Sequence, residues 1–592
     1  MYILGINAYH GDAAAAIIRD GKLIAAAEEE RFNRFKHSAG FPVHAIRYCL
    51  EAAGIGPEEL DHVGISRDPS AHLHKKILFA ATRVASEGIF NQIKDRLGNA
   101  AKVRDLKDEL ARVFSVSKKV LRARFHNVEH HRAHLASCFF VSPFERAALL
   151  SIDGFGDFIS TMWALGEGNS IDVLGQVEYP HSTGIVYTAT TQFLGFPHYG
   201  DEGKVMGLAP YGRPRFINGF RDIIRTEENG HFRLNLDYFR HHAEGVEMTW
   251  DEGSPVIGRV FSDEYAHLFG PPRAQGAPLS DRERDIAASL QLRLEEVGFH
   301  ILNHLHEQTG LTDLGLAGGV AYNSVMNGKI LLHTPFKRLF IQPAAGDSGT
   351  ALGVCYQIHN AILKGERVEV MTGAYTGPQF NDEEIESALF ANNFRFEFYS
   401  NEELTKRAAQ DIAAGLVVGW FQGRMEFGPR ALGNRSIVVD PRRAEMKDIL
   451  NDRIKKREPF RPFAPSILEE RVADYFEQIH PAPTMLMVYQ IKQERRDEIP
   501  AVTHVDGSGR LQTVSREVNE RYYQLISDFA ALTGVPVVLN TSFNVKGEAI
   551  VTTPRDALRT FMATGIDALA IGAFIVEKPK APLAVRPEDV LR

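Results

Sequence analysis

The sequence predicts an α/β protein made of several folding units, and three observations point that way. A strand, a small-residue turn bearing a carboxylate, and a returning strand occur twice, in residues 2–27 and 147–165. Two further apolar strands run through glycine turns into helices, at residues 314–324 and 340–353. From residue 371 onward, helices alternate with β-branched strands such as Leu-Val-Val-Gly-Trp-Phe421.

Composition narrows the class. At 592 residues the chain is too long for one core and implies roughly three or four folding units. A hydrophobic fraction of 44% and a charged fraction of 24% are those of a globular protein, and a net charge of -8 disfavours a nucleic-acid partner. No uncharged stretch is long enough to span a bilayer, so no membrane role is expected. Cys49, Cys138 and Cys355 lack paired spacing and read as reduced, buried thiols, with no zinc ribbon or disulfide framework. The first residues form a strand without a basic leader, so a cytoplasmic enzyme is the default expectation.

Residues 2–27 read as two strands joined by a glycine-bearing turn, with Asp20-Gly21 marking the hairpin. The second copy contains Ser-Ile-Asp153-Gly-Phe-Gly-Asp157. Duplication of such a unit, with helices following, sets two phosphate-facing turns across one cleft in a two-lobed nucleotide-binding fold; two unrelated hairpins are the competing reading. A helical insertion with a solvated basic face is expected over about residues 74–125. Residues 199–212 are glycine-rich, permit close backbone approach to a ligand, and offer Lys204 as a mobile cation or simply a surface lysine. Residues 213–280 read as an irregular insertion that shapes an acceptor pocket, with His241 and His242 facing solvent. Residues 280–310 read as a long amphipathic helix with an acidic start and a glycine stop.

Chemistry enters at His126-Asn-Val-Glu-His-His-Arg-Ala-His134. On a helix, His130 and His134 share a face and can reach one divalent ion, while His131 points elsewhere. No Glu follows His130, so the zincin reading fails; two half-buried histidines on an amphipathic helix remain the bland alternative. Asp153 and Asp347, at strand ends beside glycine, are the candidate carboxylate partners, although Asp347 could equally be an N-cap. Two imidazoles with one or two carboxylates suit iron(II), then manganese or zinc, and leave positions open for substrate oxygens. Gly318 and Gly319, followed by Asn323, suit adenosine lying against bare backbone, and the helix start near Asp347 suits a phosphate.

A domain boundary is expected at residues 371–378. Three later strand exits carry cations and amides: Arg424, Arg430 and Arg435 in Gly-Arg-Met-Glu-Phe-Gly-Pro-Arg-Ala-Leu-Gly-Asn-Arg-Ser; Lys455, Lys456, Arg457 and Arg461; and Asn540, Ser542 and Asn544. Fixed cations among Phe, Pro and Gly in an acidic protein call for polyanions, whose oxygens Arg forks match bidentately.

These motifs closely resemble the O-carbamoyltransferases of the nodulation-factor and antibiotic-tailoring family, nearly end to end. The resemblance implies an N-terminal duplicated domain of the sugar-kinase/actin/heat-shock (ribonuclease H-like) type, similar to tRNA threonylcarbamoyl transferases, over residues 1–370, and a YrdC-like α/β domain over residues 371–592. It implies that ATP and carbamoyl phosphate give carbamoyl-adenylate in the second domain, and that the first passes the carbamoyl group to a hydroxyl of a small-molecule or glycoside acceptor. By resemblance, His130, His134, Asp153 and Asp347 match the metal ligands and His10 the catalytic histidine, with Lys36 and Lys204 in family-like segments. Arg430, Lys455, Arg461, Arg510 and Ser542 match the site for carbamoyl phosphate and ATP, and Arg424, Asn540 and Asn544 lie in the same segments. A homodimer is the default assembly. The rivals are a threonylcarbamoyl-type transferase acting on tRNA, which would show a basic face, and a sugar-kinase-like phosphotransferase. Hydrogenase-maturation relatives are set aside because they resemble one another in carrying Cys-x-x-Cys motifs that this chain lacks.

Overall fold

The computed structural model describes residues 1–81, 106–244, 248–249 and 255–578. The chain divides into two compact units. The first comprises Met1–Thr376 with Phe427–Pro429 and Leu486–Val488; the second comprises Gly377–Glu426, Arg430–Met485 and Tyr489–Arg592.

Unit 1 contains two five-stranded sheets. Strands β1 (Tyr2–Asn7), β2 (Ala14–Arg19), β3 (Lys22–Glu28), β4 (His62–Ile65) and β5 (Arg124–Asn127) form one, in the order β3-β2-β1-β4-β5. The other contains β6 (Arg146–Gly156), β7 (Ile159–Glu167), β8 (Ser170–Glu178), β9 (Asp313–Ala317) and β10 (Arg338–Ile341), in the order β10-β9-β6-β7-β8. In each, three antiparallel strands are extended by two parallel ones: β1 pairs with β4 and β6 with β9, both parallel. The same order twice makes the unit a duplication. The first copy has three strands where residues 2–27 read as two. The loop after Asn7 separates β1 from β2, and Asp20-Gly21 turns β2 into β3.

Helices α1 (Val43–Ala53), α2 (His130–Phe139), α3 (Thr183–Phe193), α4 (Asp281–Thr309), α5 (Ser324–His333) and α6 (Ser348–Tyr356) belong to this unit. Helix α4 begins at a Ser280–Glu283 capping box and ends at left-handed Gly310, as its sequence predicts. Helices α2 and α6 follow the last strand of their sheets and share one core with Ile3, Leu149 and Phe139. They cross closely because Gly353 has no side chain: a Cβ there would lie 1.8 Å from the Ala133 carbonyl oxygen. Each fully buried Leu or Phe in this layer contributes about 1.5–3 kcal/mol. This crossing sets His130 and His134 against the start of α6.

The expected insertion over residues 74–125 is helical at its flanks, Leu73–Ala81 and Leu106–Val113, while residues 82–105 lie outside the described residues. Residues 213–280 are less irregular than their sequence suggests. Helices Ile217–Ile223 and Glu264–Phe269 enclose an aromatic core in which Phe220 and Phe269 stack at 4.9 Å. His241 is fully buried there rather than facing solvent, its Nε2 on the Pro180 carbonyl at 2.9 Å.

Unit 2 is built on a nine-stranded mixed sheet. Its strands are β11 (Phe396–Phe398), β12 (Val418–Phe421), β13 (Arg435–Val439), β14 (Ala464–Leu468), β15 (Met487–Gln490), β16 (Ser508–Val514), β17 (Val537–Ser542), β18 (Ala568–Ile571) and β19 (Phe574–Glu577). The order is β11-β19-β18-β12-β13-β17-β14-β16-β15. Helices α7 (Asn401–Ala413) and α8 (Glu520–Thr533) pack together. The three cysteines are unpaired and buried, and among the described residues no helix is long and apolar enough to cross a membrane.

Candidate metal centre and cationic pocket

Helix α2 is fixed at its amino end by two carboxylates. Asp157 Oδ2 accepts from the His130 amide at 3.1 Å, and the Glu129 side chain accepts from the amides of His131 and Arg132. With its first turn held, the helix presents His130 and His134 on one side. Their Nε2 atoms stand 3.1 Å apart, at 3.3 and 3.1 Å from Asp153 Oδ2 and at 3.5 and 3.6 Å from Asp347 Oδ1. The ligand atoms of all four residues lie within 4.8 Å of one another. His131 turns away, fully buried, to Ser151 Oγ and the Ile159 carbonyl.

Both carboxylates are aimed. Asp153 Oδ1 accepts from the amides of Gly154 and Gly319 at 2.7 and 3.1 Å, which leaves Oδ2 for the histidines. A Cβ at Gly319 would stand 2.7 Å from that Oδ1, so the position next to the carboxylate has no room for a side chain. Asp347 sits at the N-cap position of α6 but its side chain makes no capping bond. The open choice between N-cap and ligand therefore falls toward the cluster.

Electrostatics describe a site short of positive charge. Burial works against charging His130, but Asp153 and Asp347 outweigh it and push its pKa up to about 9. Burial, together with the charge of Asp153, raises Asp347. Two imidazoles and two carboxylates at these separations fit a divalent cation in place of those protons. His10 adjoins the cluster, with Nδ1 3.9 Å from Asp347 Oδ2 and its ring stacked on His130 at 5.6 Å. Burial first, and then Arg67, hold His10 well below the usual imidazole range, so it is neutral.

The structure does not bring every expected residue to this cluster. Lys36 is exposed. Lys204 is not mobile: its Nζ is 2.7 Å from Asp201 and lies over the Phe196 ring. Asn323 caps α5 through Met326 N and exchanges hydrogen bonds with Gln291, so its side chain is committed to structure. Gly318 opens the short 3-10 turn Gly319–Tyr322 whose first amide holds Asp153.

In unit 2, Arg430, Arg457, Arg461 and Arg510 gather, all partly buried. Burial pushes the Arg510 guanidinium down, and the charges that act on it, from Arg430, Arg457 and Arg461, are all positive. Burial, then Arg461, push Arg457 down to about 9, against the pull of Glu458. Such crowding calls for an anionic ligand. Lys455 donates to the Ser542 carbonyl at 2.5 Å, the Asn544 carbonyl at 3.0 Å and Asn544 Oδ1 at 2.9 Å, which brings three expected residues together. Asn540 is buried in a network with Gln512 and the Ala431 carbonyl. Arg424 donates to the Gly377 carbonyl. Arg435 is structural: fully buried, it serves the carbonyls of Gln422, Gly423, Asn434 and Pro378 and lies 3.7 Å over the Phe421 ring. Asp157 and Glu129 support the site without carrying a motif of their own, and Arg457 joins it from the cationic segment 455–461. The capping position of Glu129 ahead of the histidines was a usable signal; the convergence of Arg457 on Arg510 was not visible in sequence.

A duplicated unit holding a histidine–aspartate centre and a sheet unit with clustered arginines make up the chain, and the class of protein follows from its family. The chain belongs to the carbamoyltransferase family: residues 2–356 match the carbamoyltransferase N-terminus and residues 409–578 the carbamoyltransferase C-terminus. It is a carbamoyltransferase. It is 38% identical to nodulation protein NolNO of Sinorhizobium fredii over 98% of this chain and 81% of that one. It is 43% identical to the uncharacterized protein sll1178 of Synechocystis over 98% of this chain and 97% of that one. Among solved structures, HypF of T. kodakarensis aligns at TM-score 0.30 and 14% identity over 62% of this chain and 48% of that one.

Proposed function

We propose that the protein is an ATP-dependent O-carbamoyltransferase. Unit 2, a YrdC-like domain in this reading, makes carbamoyl-adenylate from carbamoyl phosphate and ATP; unit 1 delivers the carbamoyl group to a hydroxyl of a small-molecule or glycoside acceptor. For the atoms to balance, carbamoyl phosphate first loses phosphate to water. An oxygen of the resulting carbamate then attacks the α-phosphorus of ATP and pyrophosphate leaves. Both substrates are multiply charged anions, and the positive crowding at Arg510 supports placing them beside Arg430, Arg457 and Arg461.

The observation that carries the transfer half is the convergence of His130, His134, Asp153 and Asp347. A divalent ion held there, iron(II) first among the candidates, would supply Lewis-acid stabilisation of oxygens that gain charge. In transfer, the acceptor oxygen bonds to the carbamoyl carbon, the carbon–oxygen bond to the adenylate breaks, and AMP departs. Neutral His10 is positioned at the cluster to accept the hydroxyl proton.

Incubation with ATP, carbamoyl phosphate and a panel of hydroxylated natural products tests this by mass: one carbamoyl group gained, with AMP and pyrophosphate formed. ADP with a phosphorylated acceptor would instead reveal a kinase. His130→Ala is expected to keep pyrophosphate formation and lose transfer. Loss of both steps together would overturn the division of labour.

A further inference from the structure

The nine-stranded sheet of unit 2 ends at β11, which pairs on one side only, with β19. Tyr399 N donates to the Ala573 carbonyl at 2.9 Å on the β19 side. Strand alternation therefore turns the backbone groups of Phe396 and Phe398 outward, where they have no partner among the described residues. An open edge of this kind is a template for another strand. Lysine or proline would blunt it, but the segment reads Phe394-Arg395-Phe396-Glu397-Phe398-Tyr399.

The two faces of this edge differ. On one, Phe396 and Phe398 lean on the buried Phe574 at 5.2 and 5.8 Å, and Phe390, from the helix Asp382–Ala391, meets Phe396 at 5.1 Å. Phe398 is nevertheless 70% exposed and Phe390 64%, so a row of rings stands in water along an unpaired strand. On the other face, Arg395 and Glu397 are both exposed. Glu577, the next residue across the ladder from Arg395, is held by Arg407 at 3.0 Å. Arg395 has no ion pair among the described residues, and the Glu397 carboxylate accepts from the Tyr399 hydroxyl at 2.6 Å.

We propose that this edge is a homodimer interface, in which β11 of a second copy pairs antiparallel with β11 about a twofold axis through Phe396. Charge sets the register. With Phe396 opposite its own counterpart, Arg395 stands opposite Glu397 of the second copy and Glu397 opposite the second copy's Arg395, so one strand supplies both halves of two ion pairs. Phe394 then faces Phe398 of the second copy on the aromatic side. A shift of two residues either way sets Glu397 against Glu397 or Arg395 against Arg395, and a shift of one sets outward backbone groups against inward ones. That self-complementarity selects a second copy over an unrelated strand. The contact is isologous and closes on itself, which gives a dimer and not a fibre.

Sedimentation velocity of the full-length chain over a range of concentrations tests this. Wild type is expected to dimerise. Arg395→Glu and Glu397→Arg each set like charges opposite one another at two places, and each is expected to raise the dimer dissociation constant by about 100-fold. The double exchange Arg395→Glu/Glu397→Arg is expected to restore the dimer, a recovery that misfolding of the single variants does not explain. Phe396→Cys brings two thiols together at the axis and is expected to give a crosslinked dimer that reductant releases, while the buried native cysteines leave wild type uncrosslinked. A wild type that stays monomeric, a dimer that survives both single reversals, a double exchange that restores nothing, or a Phe396→Cys dimer that does not crosslink overturns the proposal. So does a monomer that dimerises only after residues 579–592 are deleted, since the chain's own end then takes the edge.

Discussion

Asp347 occupies the N-cap position of α6, yet its Oδ1 stands 3.6 Å from His134 Nε2 and its side chain makes no capping bond. A carboxylate that forgoes its cap, worth about 1 kcal/mol, is committed to the cluster. Asp347→Asn keeps the shape and removes the charge. Elemental analysis of the purified chain is expected to show bound transition metal in wild type and its loss in Asp347→Asn and His134→Ala, with transfer lost alongside. Metal retained in both variants would count against these ligands.

Gly319 tests the support behind the ligands. Its amide holds Asp153 Oδ1, and an added methyl would fall 2.7 Å from that oxygen. Gly319→Ala is therefore expected to weaken metal affinity by about 10–100-fold while all four ligands remain. Competition with a chelator of known affinity measures it. Unchanged affinity would show that the carboxylate is aimed by something else.

How far the sequence revealed this arrangement depended on the range of the interaction. The pairing of His130 with His134 is helical periodicity, and the capping box and glycine stop of α4 are local chemistry, so both were readable. Asp153 and Asp347 are legible as strand-end carboxylates, but that they meet depends on Gly353 letting α6 settle against α2, a contact between residues far apart in the chain. Lys204 illustrates the opposite failure. A lysine in a glycine-rich loop reads as mobile, and only the folded turn shows Asp201 and Phe196 holding it. The three arginines of residues 424–435 looked equivalent, because sequence spacing does not distinguish a guanidinium that meets carbonyls from one that meets other guanidiniums.

That distinction is measurable. Arg435 is fully buried and donates to four backbone carbonyls, whereas Arg430 is partly exposed and presses on Arg510. Arg435→Lys cannot reproduce the fork or the stacking on Phe421, and is expected to lower the stability of unit 2 by about 3 kcal/mol. Arg430→Lys is expected to leave urea unfolding within about 0.5 kcal/mol and to weaken ATP binding. Equal stability losses in the two variants would erase the contrast.

Anions should steady the same pocket. Pyrophosphate at about a hundred times its dissociation constant is expected to add about 2.7 kcal/mol to unfolding, read as a rise in Tm. Arg510→Ala should remove most of that increment, because the three remaining guanidiniums then repel one another less and need the ligand less. A Tm of wild type indifferent to pyrophosphate would mean that the cations are matched internally.

Acid should loosen unit 2 through His504. Burial pushes this imidazole down to about 4, with Arg510 adding to the shift and Asp506 opposing it. In the unfolded chain it titrates near 6.5, so between those values the unfolded state binds the extra proton. The stabilisation is therefore complete above about pH 6.5 and is lost as pH falls toward about 4, an effect on the order of 2–3 kcal/mol. Urea unfolding followed across that window is expected to show stability declining with acid in wild type and a flatter profile in His504→Asn. Parallel profiles for the two proteins would place the acid sensitivity elsewhere, with His181 next, since burial also pushes it down to about 4.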